Sequence, residues 1–202
     1  MRFYKNLKSN THCVQASLKI VLSELFPKKK FSFTYLDRVT HHKKGRWTWE
    51  GSGLLWLASK HVSVVTVGDF DYRKFAKEGK KYLKNIYKEK GRFEIEDKMA
   101  DLDFEQKVAQ KLIRDKRVML VNKKVTLKDL KEYLDNGYYI MASINPLKLT
   151  GEKGHVGHTV VVLSIDDIVT FHDAGLPAKA YCEVDKKLFS KALNDFIAVR
   201  NR

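Results

Sequence analysis

Two apolar runs near the end of the chain, Thr159–Ile165 (T-V-V-V-L-S-I) and Ile168–Phe171 (I-V-T-F), are separated only by Asp166 and Asp167. β-Branched residues at this density favour extended backbone. So short a connection joins strands only in the antiparallel sense, because a parallel return needs a crossover of about a dozen residues or more. The pair therefore reads as an antiparallel hairpin. His158 stands just ahead of the first strand and Asp173 just beyond the second, so both belong at the same end of the hairpin. Tyr138–Ile144, which follows the Asn136–Gly137 turn, is almost wholly apolar and reads as another buried strand.

Earlier in the chain the spacing is helical. From Thr11 to Phe26, Val14, Leu18, Val21, Leu22, Leu25 and Phe26 share one face, with Asn10 or Thr11 placed to cap. Cys13 would then emerge at the start of this helix. A second helix is expected from Leu54 to Lys60 after Gly51–Ser52–Gly53, and a strand over His61–Val67. Further helices are expected over Tyr72–Tyr87, over Asp103–Arg114, and from Thr126 to Leu134, where Thr126 and Asp129 resemble a capping box. Asp185 would cap a last helix bearing Leu188, Phe189, Leu193 and Phe196. Helices gathered early and strands late imply an α+β fold. The 202 residues suffice for one domain with a sizeable core, spanning 1–202.

The chain carries 39 Lys and Arg against 24 Asp and Glu, a net charge of +15. Such a balance suits phosphate binding, but the lysines are dispersed and interleaved with acids, as on solvated helix faces. Acidic partners are favoured and nucleic acid is not expected. No apolar run has the length of a membrane span or the pattern of a signal peptide, so the expected compartment is the cytoplasm. Only two cysteines occur, Cys13 and Cys182, and a reducing compartment would leave both as thiols.

A thiol, an imidazole and a carboxylate are the groups that cysteine-dependent acyl transfer needs: nucleophile, acid/base and orienting group. Cys13, His158 and Asp173 supply them in that order. A helix N-terminus beside Cys13 and an imidazolium from His158 would both favour the thiolate.

The residues that carry this chemistry resemble a known family. The opening R-F-Y-K-N-L-K-S-N-T-H-C-V-Q-A-S-L-K-I-V-L and the closing G-H-T-V-V-V-L-S-I-D-D-I-V-T-F-H-D-A-G are similar to the bacteriocin-processing (double-glycine leader) peptidases and their stand-alone relatives, within the papain-like cysteine peptidase superfamily. The tail E-V-D-K-K-L-F-S-K-A-L resembles the family's closing helix. The likeness covers the two ends of the chain, and the middle matches only loosely. It implies a papain-like fold, hydrolysis of a peptide or isopeptide bond, no metal or organic cofactor, and a preference for small residues before the cleaved bond. It also implies an oxyanion donor six or seven residues ahead of the cysteine. Asn6 stands where the family has Gln, with one extra residue before Cys13, and Asn10 is the alternative donor. Val14 and Gln15 replace the family's Gly-Pro, and Ala174–Gly175 follows Asp173.

Other assignments compete. The same scaffold supports an acyltransferase, or a non-catalytic module that binds peptide or nucleic acid. His155 is the rival base to His158. His155 and His172 read as solvated loop or turn histidines; a zinc set of these with His158 and Cys182 has neither the spacing nor a Cys-x-x-Cys pair in its favour. His41–His42 beside Lys43–Lys44 reads as an exposed basic turn. Trp47, Trp49 and Trp56 would wall a cleft or fill the core.

Overall fold

The computed structural model describes residues 1–202. Ten helices and seven strands form an α+β arrangement around one mixed sheet of order β2-β1-β7-β3-β4-β5-β6. The strands are β1 (Val62–Gly68), β2 (Val118–Asn122), β3 (Tyr139–Ile144), β4 (His158–Ile165), β5 (Ile168–Asp173), β6 (Lys179–Asp185) and β7 (Leu193–Asn201). Only β1 and β2 run parallel; every other neighbouring pair is antiparallel. The expected hairpin is β4–β5, with Val162 opposite Phe171 and Ile165 opposite Val169.

Helix α1 (Cys13–Leu25) lies against β4 and β3. Nine of its side chains are buried, on nearly every face, as in a helix enclosed by packing rather than one lying at the surface. It shares one core with α2 (Phe33–Thr40), α3 (Gly51–Ala58) and one side of the sheet, where Val64, Met141, Val161, Ile197 and Val199 alternate with residues facing the other way. The opposite face buries Val65, Ile140, Ala142, Val160, Val162, Phe171 and Phe196 under α8 (Leu127–Asp135) and α10 (Lys186–Ala192). A third, smaller core joins α4 (Tyr72–Glu78), α5 (Lys80–Ile86) and α7 (Leu102–Leu112) through Phe75, Leu83, Leu102 and Ala109. The remaining helices are α6 (Arg92–Met99) and the single turn α9 (Leu147–Thr150).

Several expectations need correction. The helix expected over Tyr72–Tyr87 is two, broken at Gly79, whose φ of +56° lies in the left-handed region. The segment expected to extend the last helix through Leu193 and Phe196 is β7, a central strand buried on both faces. The glycines before Leu54 belong to α3 itself. α2, α6, β2 and β6 lie where no element was expected. The Thr126 capping box is present, its side chain and that of Asp129 satisfying each other's backbone N–H groups.

Gly51 lets α3 approach α7 closely: a Cβ placed there would meet Val108 Cγ1 at 2.7 Å and Leu112 Cδ1 at 3.2 Å. Gly51→Ala is expected to destabilise the fold by about 1–3 kcal/mol, the usual range for overpacking. In a double-mutant cycle with Val108→Ala, measured by urea unfolding, the two losses should be less than additive. Strict additivity would mean the helices do not meet at this point.

Candidate active site

α1 begins at Cys13 with His12 as its N-cap, and no side chain caps it. The two expected caps are engaged elsewhere. Asn10 adopts a left-handed φ of +54° and its side-chain carbonyl accepts from Asn6 Nδ2 and Leu176 N–H. The Thr11 hydroxyl lies 3.2 Å from Ser9 Oγ and 3.3 Å from His12 Nδ1. The first-turn N–H groups of α1 are thus left without a side-chain acceptor, beside a free, half-buried thiol.

Opposite that thiol is the mouth of the β4–β5 hairpin. His158 Nε2 and Asp173 Oδ1 are 2.6 Å apart. Burial alone would pull the imidazole pKa down; the bond to Asp173, its charge and the nearby Cys13 thiol outweigh it and raise His158 to about 10. With Nε2 committed to Asp173, Nδ1 is the ring nitrogen left for the sulfur. Asp173 shows the complementary effect. Burial raises its pKa, but the imidazole and the Gly175 N–H, at 2.8 Å, together hold it below the ordinary carboxylate range. The three groups named from the sequence therefore meet, with His158 in the middle.

The N-terminal segment is tied to the same place. Asn6 N–H donates to Ala174 O at 2.8 Å, and Asn10 takes Leu176 N–H at 3.2 Å. Asn6 is buried, and its side-chain carbonyl accepts from Leu7 N–H and His12 N–H. One of its two amide protons goes to Asn10, leaving the second. Ser17 Oγ donates to Thr159 O at 3.1 Å, fixing α1 against β4 one residue from His158.

The remaining histidines serve elsewhere. His155 is held 3.0 Å from Arg92 Nη2, and burial and that guanidinium depress its pKa. It is not the solvated loop residue expected. His172 is fully buried within β5, accepting Tyr181 N–H at 3.2 Å and facing Met1 O, because the strand runs two residues further than expected. No three His, Cys, Asp or Glu side chains come together as a metal site, so His155, His158, His172 and Cys182 do not converge. His41 is exposed, as expected, but His42 is half-buried 4.1 Å from the His12 ring and bonded to Thr48. The tryptophans separate: Trp47 is exposed, Trp56 packs on Phe31 and Tyr35, and Trp49 packs on Phe70 and Phe75.

Two contributors were not expected. Gly175 is one: a Cβ there would lie 2.7 Å from His158 Cε1 and 3.0 Å from Asp173 Oδ1. Only a residue without a side chain lets the backbone lie over the pair and donate to it. Gln15 is the other. It is fully buried and donates to Thr40 and Thr48 at 2.8 and 2.9 Å, tying the first turn of α1 to the α2–α3 connection. No family model matches the chain, and no curated protein matches it.

Asp173→Asn should drop the His158 pKa from about 10 toward its ordinary 6.5, read from the ring-proton shifts by NMR. Gly175→Ala should lower it too, without altering any charge. The sign for stability follows from a folded value above the unfolded one. The contribution of His158 is complete below about pH 6.5 and is lost as pH rises toward 10. The wild type should therefore lose more stability across that window than Asp173→Asn does. Equal losses, or an unmoved titration, would contradict the arrangement.

Proposed function

We propose that this chain is a papain-like cysteine peptidase, akin to the leader peptidases its two ends resemble, hydrolysing a peptide or isopeptide bond through an acyl-thioester on Cys13. The observation that carries the reading is one imidazole interacting at once with a helix-start thiol and a carboxylate. A His158 pKa near 10 keeps the ring protonated at neutral pH, the form able to give its proton to a departing amine.

The chemistry then needs only side chains and water. Cys13 Sγ attacks the scissile carbonyl carbon, forming the C–S bond and pushing an electron pair onto the oxygen. That oxyanion is met by the Cys13 backbone N–H, which has no partner inside α1, and by the remaining amide proton of Asn6. As the tetrahedral species collapses the C–N bond breaks, and His158 gives its proton to the departing amine. The neutral imidazole next takes a proton from water, whose oxygen attacks the thioester. The acid leaves, Cys13 departs as the thiolate, and His158 is again protonated. Asp173 holds the ring orientation and supports its charge throughout. The reading needs a reducing compartment such as the cytoplasm, where Cys13 stays a thiol. The surface excess of lysine suits acidic partners; the substrate itself is a peptide or protein.

With iodoacetamide, Cys13 should alkylate faster at pH 6 than an ordinary thiol does, and the Cys13→Ala variant should lose both that labelling and all cleavage of a fluorogenic peptide library. Asn6→Ala should slow cleavage by about 10²- to 10³-fold, the usual cost of one oxyanion donor. Ordinary reactivity at Cys13, or cleavage that survives Cys13→Ala, would end the peptidase reading.

A further inference from the structure

The backbone of one residue, His12, aims both donors assigned to the oxyanion. Its N–H donates to the Asn6 side-chain carbonyl at 3.1 Å. Leu7 N–H holds the same oxygen at 2.8 Å, so the carboxamide has a fixed direction. The His12 carbonyl accepts the Ala16 N–H at 2.8 Å. That carbonyl and the Cys13 N–H belong to one planar peptide unit, so fixing the first directs the second. The angle between the two donors thus depends on the φ and ψ of residue 12, −114° and 30°. A residue that opens a helix usually has extended backbone and caps the first turn with its side chain. His12 does neither.

Its ring is turned instead toward α2 and the loop beyond. His12 is 7% exposed. Nε2 lies 3.4 Å from Asp37 Oδ1, and Nδ1 lies 3.1 Å from Ser9 Oγ and 3.3 Å from Thr11 Oγ1. Asp37 Oδ1 is buried and accepts no hydrogen bond, so the His12 ring is what answers it. The His42 ring stands against the His12 ring with centroids 4.1 Å apart, and Phe33 meets it edge-on at 6.0 Å. His42 is itself fixed, its Nδ1 2.8 Å from Thr48 Oγ1, the hydroxyl that Gln15 of α1 also reaches. Burial, then the charge of His12, lower the pKa of His42 against the pull of Asp37, so at neutral pH it packs as an uncharged ring. A ring held on both nitrogens and against its face has lost its rotamer freedom, and its Cα goes with it. Stability alone would be served by a Ser or Asp that caps the helix. Here the first-turn N–H groups stay free of side chains, and tertiary contacts hold the residue before the nucleophile.

We infer that His12 is a positioning residue: its ring, clamped by Asp37 and His42, holds the backbone that aims the Asn6 amide and the Cys13 N–H at the oxyanion of the attacked carbonyl. The inference rests on the peptidase reading for the reaction, and on the observed contacts alone for the clamp. Donors of this kind work only when they lie about 2.7–3.1 Å from where the oxyanion will form. A slack His12 would let the two drift apart without disturbing the thiol, the imidazole or the carboxylate.

The test compares two reactions of the same sulfur. Acylation of Cys13 by p-nitrophenyl acetate passes through an oxyanion, whereas alkylation by iodoacetamide passes through none. The ratio of the two rates should fall about tenfold or more in His12→Ala and in Asp37→Ala, part of what deletion of a whole donor costs. Asp37→Asn, which keeps an acceptor opposite Nε2, should recover most of that loss. Adding His12→Ala to Asn6→Ala should cost less than His12→Ala does in the wild type, because both act through the same carboxamide. Dividing by the alkylation rate removes any general loss of folded protein or thiol reactivity. Asp37 is only half-buried, so Asp37→Ala carries the comparison where His12→Ala fails to fold. An unchanged ratio in the alanine variants, or full additivity with Asn6→Ala, would overturn the positioning role and leave the peptidase reading standing. A wild-type Cys13 that alkylates only as an ordinary thiol would overturn the peptidase reading, and the role of His12 with it.

Discussion

An imidazole with two partners is the constraint on which the proposed site depends. His158 sits deep enough that burial opposes its charge, yet its bond to Asp173 and the nearby Cys13 reverse that effect. The reversal depends on distance, and the distance is set by backbone. Asp173 is 2.6 Å from the ring because β5 runs antiparallel to β4 and ends where β4 begins. Cys13 is beside it because α1 packs on β4 and is pinned there by the Ser17–Thr159 bond. Neither contact is local in sequence to the thiol, so the chemistry exists only in the folded chain.

The surroundings hold these groups with little freedom. Asn6 and Asn10 join the first ten residues to the loop after Asp173, so the segment ahead of the helix and the segment after the hairpin are one hydrogen-bonded unit. Gly175 closes it from above, donating to the carboxylate at a separation that leaves no room for a methyl group. Gln15 performs the same service from beneath, spending its amide on two threonines of the α2–α3 region. Positioning of this kind costs backbone and side-chain entropy once, during folding, instead of at each encounter with a ligand.

What the sequence made legible was whatever local physics determines. The hairpin followed from two β-branched runs and a connection too short for any other geometry, and the Thr126–Asp129 capping box from side chains that reach only their own helix end. The misses share a different cause. Leu188, Phe189, Leu193 and Phe196 fit a helical stripe, yet Phe196–Val199 is buried on both faces between β1 and β3, and a strand in that position has no alternation to display. α6 has no buried residue at all, so no apolar period marked it. Gly79 was visible as a glycine, but its left-handed φ, which divides α4 from α5, is a property of the turn and not of the composition. At the site, Cys13, His158 and Asp173 were accessible because each reaction role demands a residue type. Gly175 and the buried Gln15 were not, since their meaning comes from what stands within a few ångströms.

Charge shows the same separation between composition and place. The net +15 belongs to the solvated surface, where water and salt screen each lysine within about 10 Å. Around Glu50 the local sign is opposite: burial raises the pKa of Glu50, Glu96, Glu105 and Asp195, and of the four only Glu96 is lowered by a nearby cation, Arg92. Burial disfavours the charged form of these acids, so they hold protons more tightly than their surface counterparts do. A dispersed positive exterior draws acidic molecules to the protein as a whole, whereas the buried acids act only on their immediate neighbours. The two act at different ranges, the first over the whole surface and the second within a few ångströms.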